Sequence, residues 1–189
     1  MIYLWESPEK VLNKEIGEYD RTCSPDRFLL RASRKLELNE FSPMPTVHFK
    51  IPQKRALKFD CLANGAMIPL INKRVQEILK EVAPNEVQFF PAKVLCPDGE
   101  LAGYSFLNVT VEIMGIDHEK TVYTQSGYGF HYLTYKKGCL GEHPLARDKE
   151  YHGNLLVSEK LKIIFEQEKI TGVWFVRPEE YYRPLGELL

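Results

Sequence analysis

The residues with chemistry to offer are scattered along this chain. Cys139 and His143 form a C-x3-H pair, with His131 and His152 not far off in sequence. A zinc site needs ligands at close, paired spacings. The companion pair is missing, so these four read as ordinary loop residues and no metal is expected. Asp117, His118 and Glu119 put three ionisable groups in a row, a set that could move protons, yet a turn at a strand end accounts for them without any catalytic role. Ser126 precedes Gly127 without the G-x-S-x-G of a nucleophile elbow. Gly127-Tyr128-Gly129 lacks the third glycine of a dinucleotide fingerprint, and neither Walker motif is present, so no cofactor is expected. Glu179 and Glu180, followed by Tyr181 and Tyr182, suit an acid/base site less well than a solvated C-terminal turn.

What rises above this background is aromatic. Tyr123, Tyr128, Phe130, Tyr132 and Tyr135 cluster around Gly127 and Gly129. Tyrosine combines a large apolar face with a hydrogen-bonding tip at small entropic cost, which favours it at interfaces. Two readings stand: alternating rings of a core strand, or a partner surface. The two glycines would let the backbone turn and present rings outward. Tyr128, Phe130 and Tyr132 are the first candidates for partner binding. Tyr181 and Tyr182, past a proline near the C-terminus, are the second.

Composition bounds the rest. The chain has 189 residues, 44% hydrophobic and 27% charged, with a net charge of −1. A fold of this size buries roughly 70% of its unfolded surface and needs no metal or disulfide. Near-neutral charge argues against a general nucleic-acid binder. Cys23, Cys61, Cys96 and Cys139 are spread almost evenly without a C-x-x-C, as expected of reduced thiols in the cytoplasm. Neither a signal peptide nor an apolar stretch of membrane-spanning length is legible, so no membrane partner is expected.

The elements that must position these side chains come from periodicity. IYLW (2–5) reads as a first strand, RFLLRASRKL (27–36) as a strand or helical turn, and TVHFKI as a strand among prolines. Residues 1–55 form an N-terminal subregion and 56–189 the main body of a single domain, 1–189. In PLINKRVQEILKEVAP, Ile71, Val75, Ile78, Leu79 and Val82 mark one helical stripe, with Asn72 as N-cap and Pro84 as stop. NEVQFFPAKVL then reads as one strand, the turn PDGE follows, and LAGYSFLNVTVEIMGI returns as a second strand with one apolar face. KKGCLGEHPLARDKEYHGN reads as a loop.

The segment LLVSEKLKIIFEQEKITGVWFV repeats the earlier pattern of strand, cap, helix and strand. Laid over it without a gap, Ile71 meets Val157, Asn72 meets Ser158, Val75 meets Leu161, Ile78 meets Ile164, Leu79 meets Phe165, and Phe89 meets Phe175. Phe89 and Phe175 are therefore expected to be buried in one sheet, adjacent or one strand apart. The predicted class is α+β, a mostly antiparallel sheet with two helix–strand units packed on it.

Three stretches together resemble a known family: LANGAMIPLINKRVQEILKEVAPNEVQFFPAKV, GYSFLNVTVEIMGID, and LLVSEKLKIIFEQEKITGVWFVRP. In order and spacing they resemble the eleventh family of immunity proteins from bacterial polymorphic toxin systems. The resemblance covers residues 59–178 and implies a protein that is not an enzyme. It implies binding to a cognate toxin from a neighbouring gene, delivered by contact-dependent or type VI secretion and met in the cytoplasm of the producing cell. It carries over no catalytic residues. On this view Tyr128, Phe130, Tyr132, Tyr181 and Tyr182 become candidate toxin-binding residues, and a homodimer is left open. The rival is a small cytosolic hydrolase using His131, His143 or Asp117–Glu119.

Overall fold

A computed structural model describes residues 1–182 of the chain. The opening strand β1 is Ile2–Glu6, followed by β2 (Glu18–Tyr19) and β3 (Thr46–His48). A short helix α1 (Gln53–Ala56) leads to the strand pair β4 (Cys61–Leu62) and β5 (Leu70–Ile71). Helix α2 spans Lys73–Val82, then come β6 (Val87–Pro91), β7 (Lys93–Cys96), β8 (Gly99–Leu101) and β9 (Ser105–Val109). Strands β10 (Glu112–Ile113), β11 (Val122–Tyr123), β12 (Phe130–Tyr132) and β13 (Leu145–Asp148) follow. The chain continues through β14 (Leu155–Ser158), α3 (Glu159–Gln167), β15 (Trp174–Val176) and α4 (Pro178–Tyr181). Between β2 and β3 the segment Arg27–Arg31 forms a 3-10 helix capped by Asp26.

The class is α+β, with four sheets among the described residues, and most strand pairs are antiparallel. Two sheets carry the body. One has the order β4-β5-β9-β6 and the other β10-β13-β14-β1-β15. The internal repeat of the sequence is legible in their registers. In the first, β5 and β6 both pair antiparallel with β9, Leu70 and Phe90 flanking Phe106. In the second, β14 and β15 both pair antiparallel with β1, Leu156 and Val176 flanking Leu4. Each unit is thus two parallel strands joined by a helix, with a third strand threaded between them. Asn72 and Ser158 both cap: Asn72 Oδ1 accepts from Val75 N at 3.1 Å, and Ser158 Oγ from Leu161 N at 3.3 Å. Such caps satisfy backbone donors left free by the first helical turn.

The registers correct one expectation. Phe89 and Phe175 lie in different sheets and are only partly buried; both pack against the cluster that also holds Val75, Leu79, Leu161 and Phe165. The fully buried member of the first aromatic run is Phe90, 3% exposed, set edge-on to Phe41 at 5.1 Å. Each unit has its own sheet, and the two sheets share one cluster, so the equivalent residues border that cluster from different sheets. Trp174 is partly buried on the opposite side, in the cluster around Leu4, Leu156 and Val176.

Further differences share a cause, burial of both strand faces. Strand β9 has no polar face. Phe106 sits in one cluster, Leu107 and Val109 in the next, and Asn108 is fully buried. Asn108 Nδ2 donates to Arg34 O at 2.9 Å and to Gln88 Oε1 at 2.9 Å. Gln88 in turn exchanges side-chain bonds with both backbone groups of Leu36, at 2.9 Å each. The expected polar face is therefore covered by the N-terminal segment 34–36. NEVQFFPAKVL is two strands rather than one, because the long hairpin bends between sheets. Leu101 pairs Val94 and Ser105 pairs Pro91, leaving one extra residue on the returning side, where Gly103 takes φ +86°. The stretch read as a loop contains β13, which is buried along its length. Ile71 belongs to β5, just before the helix, and not to the helical stripe.

A polar junction around Asp60 and Thr171 ties the two repeat units together. Asp60, ahead of β4, accepts from Thr171 N (2.8 Å), Thr171 Oγ1 (2.9 Å) and Asn72 Nδ2 (2.8 Å). Cys61 N donates to Thr171 O at 3.0 Å. Gly172 follows at φ +82°, where an added Cβ would lie 1.9 Å from Cys61 O. Only glycine meets both demands.

Candidate aromatic binding site

The hairpin β11–β12 places the first candidates. Thr124 N donates to Gly129 O (3.0 Å) and Gly127 N to Thr124 O (2.9 Å), and Gly127 takes φ +73°. This turn throws Tyr128 outward, 89% exposed. On the strand, Phe130 and Tyr132 are partly buried and His131 is exposed, the alternation of a half-covered ribbon. This two-stranded ribbon belongs to neither large sheet.

Phe130 is where the two sets of candidates meet. Its ring is edge-on to Tyr182 at 5.2 Å and to Tyr151 at 5.1 Å, and tilted against Tyr123 at 5.4 Å. Tyr182 contacts Tyr181 at 4.9 Å, and Tyr181 approaches Trp174 at 6.3 Å. Edge-to-face pairs at these separations are favourable beyond the area they bury. A continuous aromatic belt thus runs from Tyr123 through Phe130, Tyr182 and Tyr181 to Trp174. Tyr128 stands apart at the tip, and Tyr132 is not in a ring contact of the belt.

Hydrogen bonds hold the belt from behind. The Tyr182 hydroxyl donates to Asn154 Oδ1 (3.1 Å), Asn154 Nδ2 donates to the Tyr135 oxygen (3.0 Å), and the Tyr135 hydroxyl donates to Asp148 Oδ2 (2.5 Å). Asp148 Oδ1 also accepts from the backbone N–H groups of Glu150 and Tyr151. Burial pushes both phenols, Tyr135 and Tyr182, well above the ordinary tyrosine value, so they stay protonated as donors.

Beside the belt lies a groove of about 360 Å³, lined by Trp5, Glu6, Arg31, Asn64, Tyr151 and Tyr182 among others. Burial raises the Glu6 carboxyl, partly offset by its hydrogen bond with Tyr181. Burial, and then the neighbouring Arg27, pull the Arg31 guanidinium down. Arg31 Nη2 donates to Ala66 O and Met67 O at 3.3 and 3.1 Å. Trp5 anchors the floor, edge-on to Phe165 and Phe175.

The ionisable residues singled out in the sequence are dispersed. Asp117 pairs with Lys120 at 2.8 Å, and His118 lies between the Tyr123 hydroxyl (2.6 Å) and Glu150 (2.7 Å). His143 pairs with Glu86 at 2.8 Å, Glu179 accepts from Thr134 at 2.9 Å, and Ser126 bonds Thr124 at 3.0 Å. Cys139 packs partly buried in the cluster around Tyr135, while His131 and His152 are exposed. Among the described residues no three of His, Cys, Asp and Glu gather at metal-binding range. None of the described helices is long and apolar enough to cross a membrane.

Sequence reasoning missed Trp5, Arg31 and Tyr151. Trp5 is hidden in a strand pattern, Arg31 in a short ambiguous run, and Tyr151 in a stretch without periodicity. Only the meeting of distant segments marks them.

No curated protein matches the chain. The family whose model matches is the Immunity protein family (Imm11), over residues 3–180, a span that takes in both repeat units and the belt and groove residues other than Tyr181 and Tyr182. The chain therefore belongs to the Imm11 immunity protein family, whose members are generally not enzymes and whose role implies neutralisation of a toxin.

Proposed function

We propose that this protein, as one domain of residues 1–189, neutralises a cognate toxin by one-to-one binding through the aromatic belt and its groove. The toxin is encoded by a neighbouring gene, delivered between bacteria by contact-dependent or type VI secretion, and met in the cytoplasm of the producing cell. The observation that carries the binding face is the convergence of Phe130, Tyr151, Tyr181 and Tyr182, drawn from three separated segments, beside a groove. Tight interfaces draw most of their affinity from a few such aromatic anchors in partly closed pockets. Tyr128 lies outside the belt and serves as an outer contact, and Tyr132 supports the ribbon.

Co-expression with the adjacent open reading frame and pull-down tests the partner. Tyr181→Ala and Tyr128→Ala then test the face. Tyr181→Ala is expected to weaken toxin binding by about 2 kcal/mol with little change in melting temperature. Tyr128→Ala should weaken it less, as rim residues do. Unchanged affinity in both variants, with the complex intact, would place the interface elsewhere.

A further inference from the structure

Behind the groove lies a charge without a counter-charge. Arg147 is 1% exposed, on the same face of β13 as Leu145, and so points into the space between the two large sheets. Its guanidinium makes a single hydrogen bond among the described residues, Nη1 to His152 O at 3.5 Å, while Nε and Nη2 have no partner. His152 lies between Tyr151 and Gly153, both on the groove wall. Besides burial, the charge that bears on Arg147 is that of another cation, Arg31, which lines the groove and whose own Nε is buried without a partner. Neither arginine is in an ion pair within the described residues. Arg27 and Arg31 also flank the exposed ring of Phe28 at 5.0 and 5.7 Å, so the positive character continues onto the rim.

Burying a cation is costly unless an anion and hydrogen bonds compensate it. Burial, and then the charge of Arg31, pull Arg147 down to about 9, in keeping with its single hydrogen bond and two unpartnered nitrogens. The two guanidiniums leave three N–H-bearing nitrogens without acceptors, the kind of donor that a carboxylate pairs with. Glu6 also lines the groove but forms no ion pair with either arginine among the described residues; its hydrogen bond is with Tyr181.

We infer that the groove seats an acidic side chain of the toxin, its carboxylate held by Arg31 with Arg147 behind it. This inference rests on the proposed docking face. The aromatic belt supplies area and the arginine pair supplies the selection, since a toxin with a neutral or basic residue at that point leaves both cations unmet.

The test uses the full-length protein and the purified toxin domain encoded by the adjacent gene. Arg31→Met and Arg147→Met keep stem length and remove charge. Each is expected to weaken binding roughly 30-fold or more and to flatten the dependence of affinity on salt. Arg147→Met is further expected to raise the melting temperature of the free protein, because an unpaired buried charge is replaced by an apolar chain. A purely structural arginine would give the opposite: a lower melting temperature with affinity unchanged. Unaltered affinity and salt slope in both variants would overturn the carboxylate contact, whatever the melting temperature. If Tyr181→Ala still weakens binding in that case, the docking face stands and only the charge contact falls. If Tyr181→Ala is also silent, the face itself is wrong. Saturation of the groove by acetate, read from the Arg31 Nε–H resonance and unaffected by added toxin, would point to a small-anion site and also overturn the inference.

Discussion

At the scale of single residues, neighbours in sequence have opposite fates. Phe90 is enclosed against Phe41 and Phe106, while Phe89 lies at the margin of the next cluster with the Lys80 ammonium 5.7 Å from its ring. Phe90→Ala is expected to cost about 3–5 kcal/mol, and Phe89→Ala clearly less, in chemical denaturation. Glu6 offers a pH test. Burial raises its carboxyl above the ordinary 4.5, so the folded state favours the protonated form. The stability this group contributes is full below about pH 4.5 and is lost as pH rises through the raised value. Glu6→Gln should therefore raise the melting temperature at neutral pH and leave it near wild type at about pH 4. A variant less stable at neutral pH would show that the ionised carboxylate is well solvated or paired.

At the scale of elements, the two β-α-β units make the same local bargain with different residues. Each helix starts from a capping side chain, Asn72 or Ser158, and buries two positions one turn apart, Val75 and Leu79 or Leu161 and Phe165. Asn72→Ala and Ser158→Ala are each expected to cost about 1 kcal/mol. Asn72→Ala should cost more, because Asn72 Nδ2 also bonds Asp60 and so ties its helix to the junction with Thr171. At that junction Gly172→Ala should cost roughly 2–4 kcal/mol, since both the positive φ and the contact with Cys61 O oppose a side chain. Equal melting curves for Gly172→Ala and wild type would mean that the turn can relax away from β4.

At the scale of the whole molecule, chain order and spatial order diverge. The first strand, Ile2–Glu6, lies between β14 and β15, and residues 34–36 cover β6 and β9. The middle cluster draws on both large sheets and both long helices. Deleting residues 1–6 should therefore abolish soluble expression, although it removes only a terminus. Cluster sharing also predicts one cooperative thermal transition. Two separated transitions by calorimetry would show that the repeat units unfold independently.

Local chemistry settles what the sequence determines alone. Helix stripes, caps, turn glycines and the 86-residue repeat follow from spacings of 3.6 and 2 and from residue conformational limits, which act within a few positions. The α+β class and the resemblance to immunity proteins rest on the same local signals. Tertiary structure decided what depends on which distant segments meet. It put Phe89 and Phe175 in separate sheets, covered the supposedly polar face of β9, and made a strand of 145–148. It also joined Phe130 to Tyr182 across 52 residues, and set Arg31 where its charge bears on the buried Arg147. Burial of both faces of a strand erases the alternation by which a strand is read, and side chains meeting across sheets leave no periodic trace in the chain.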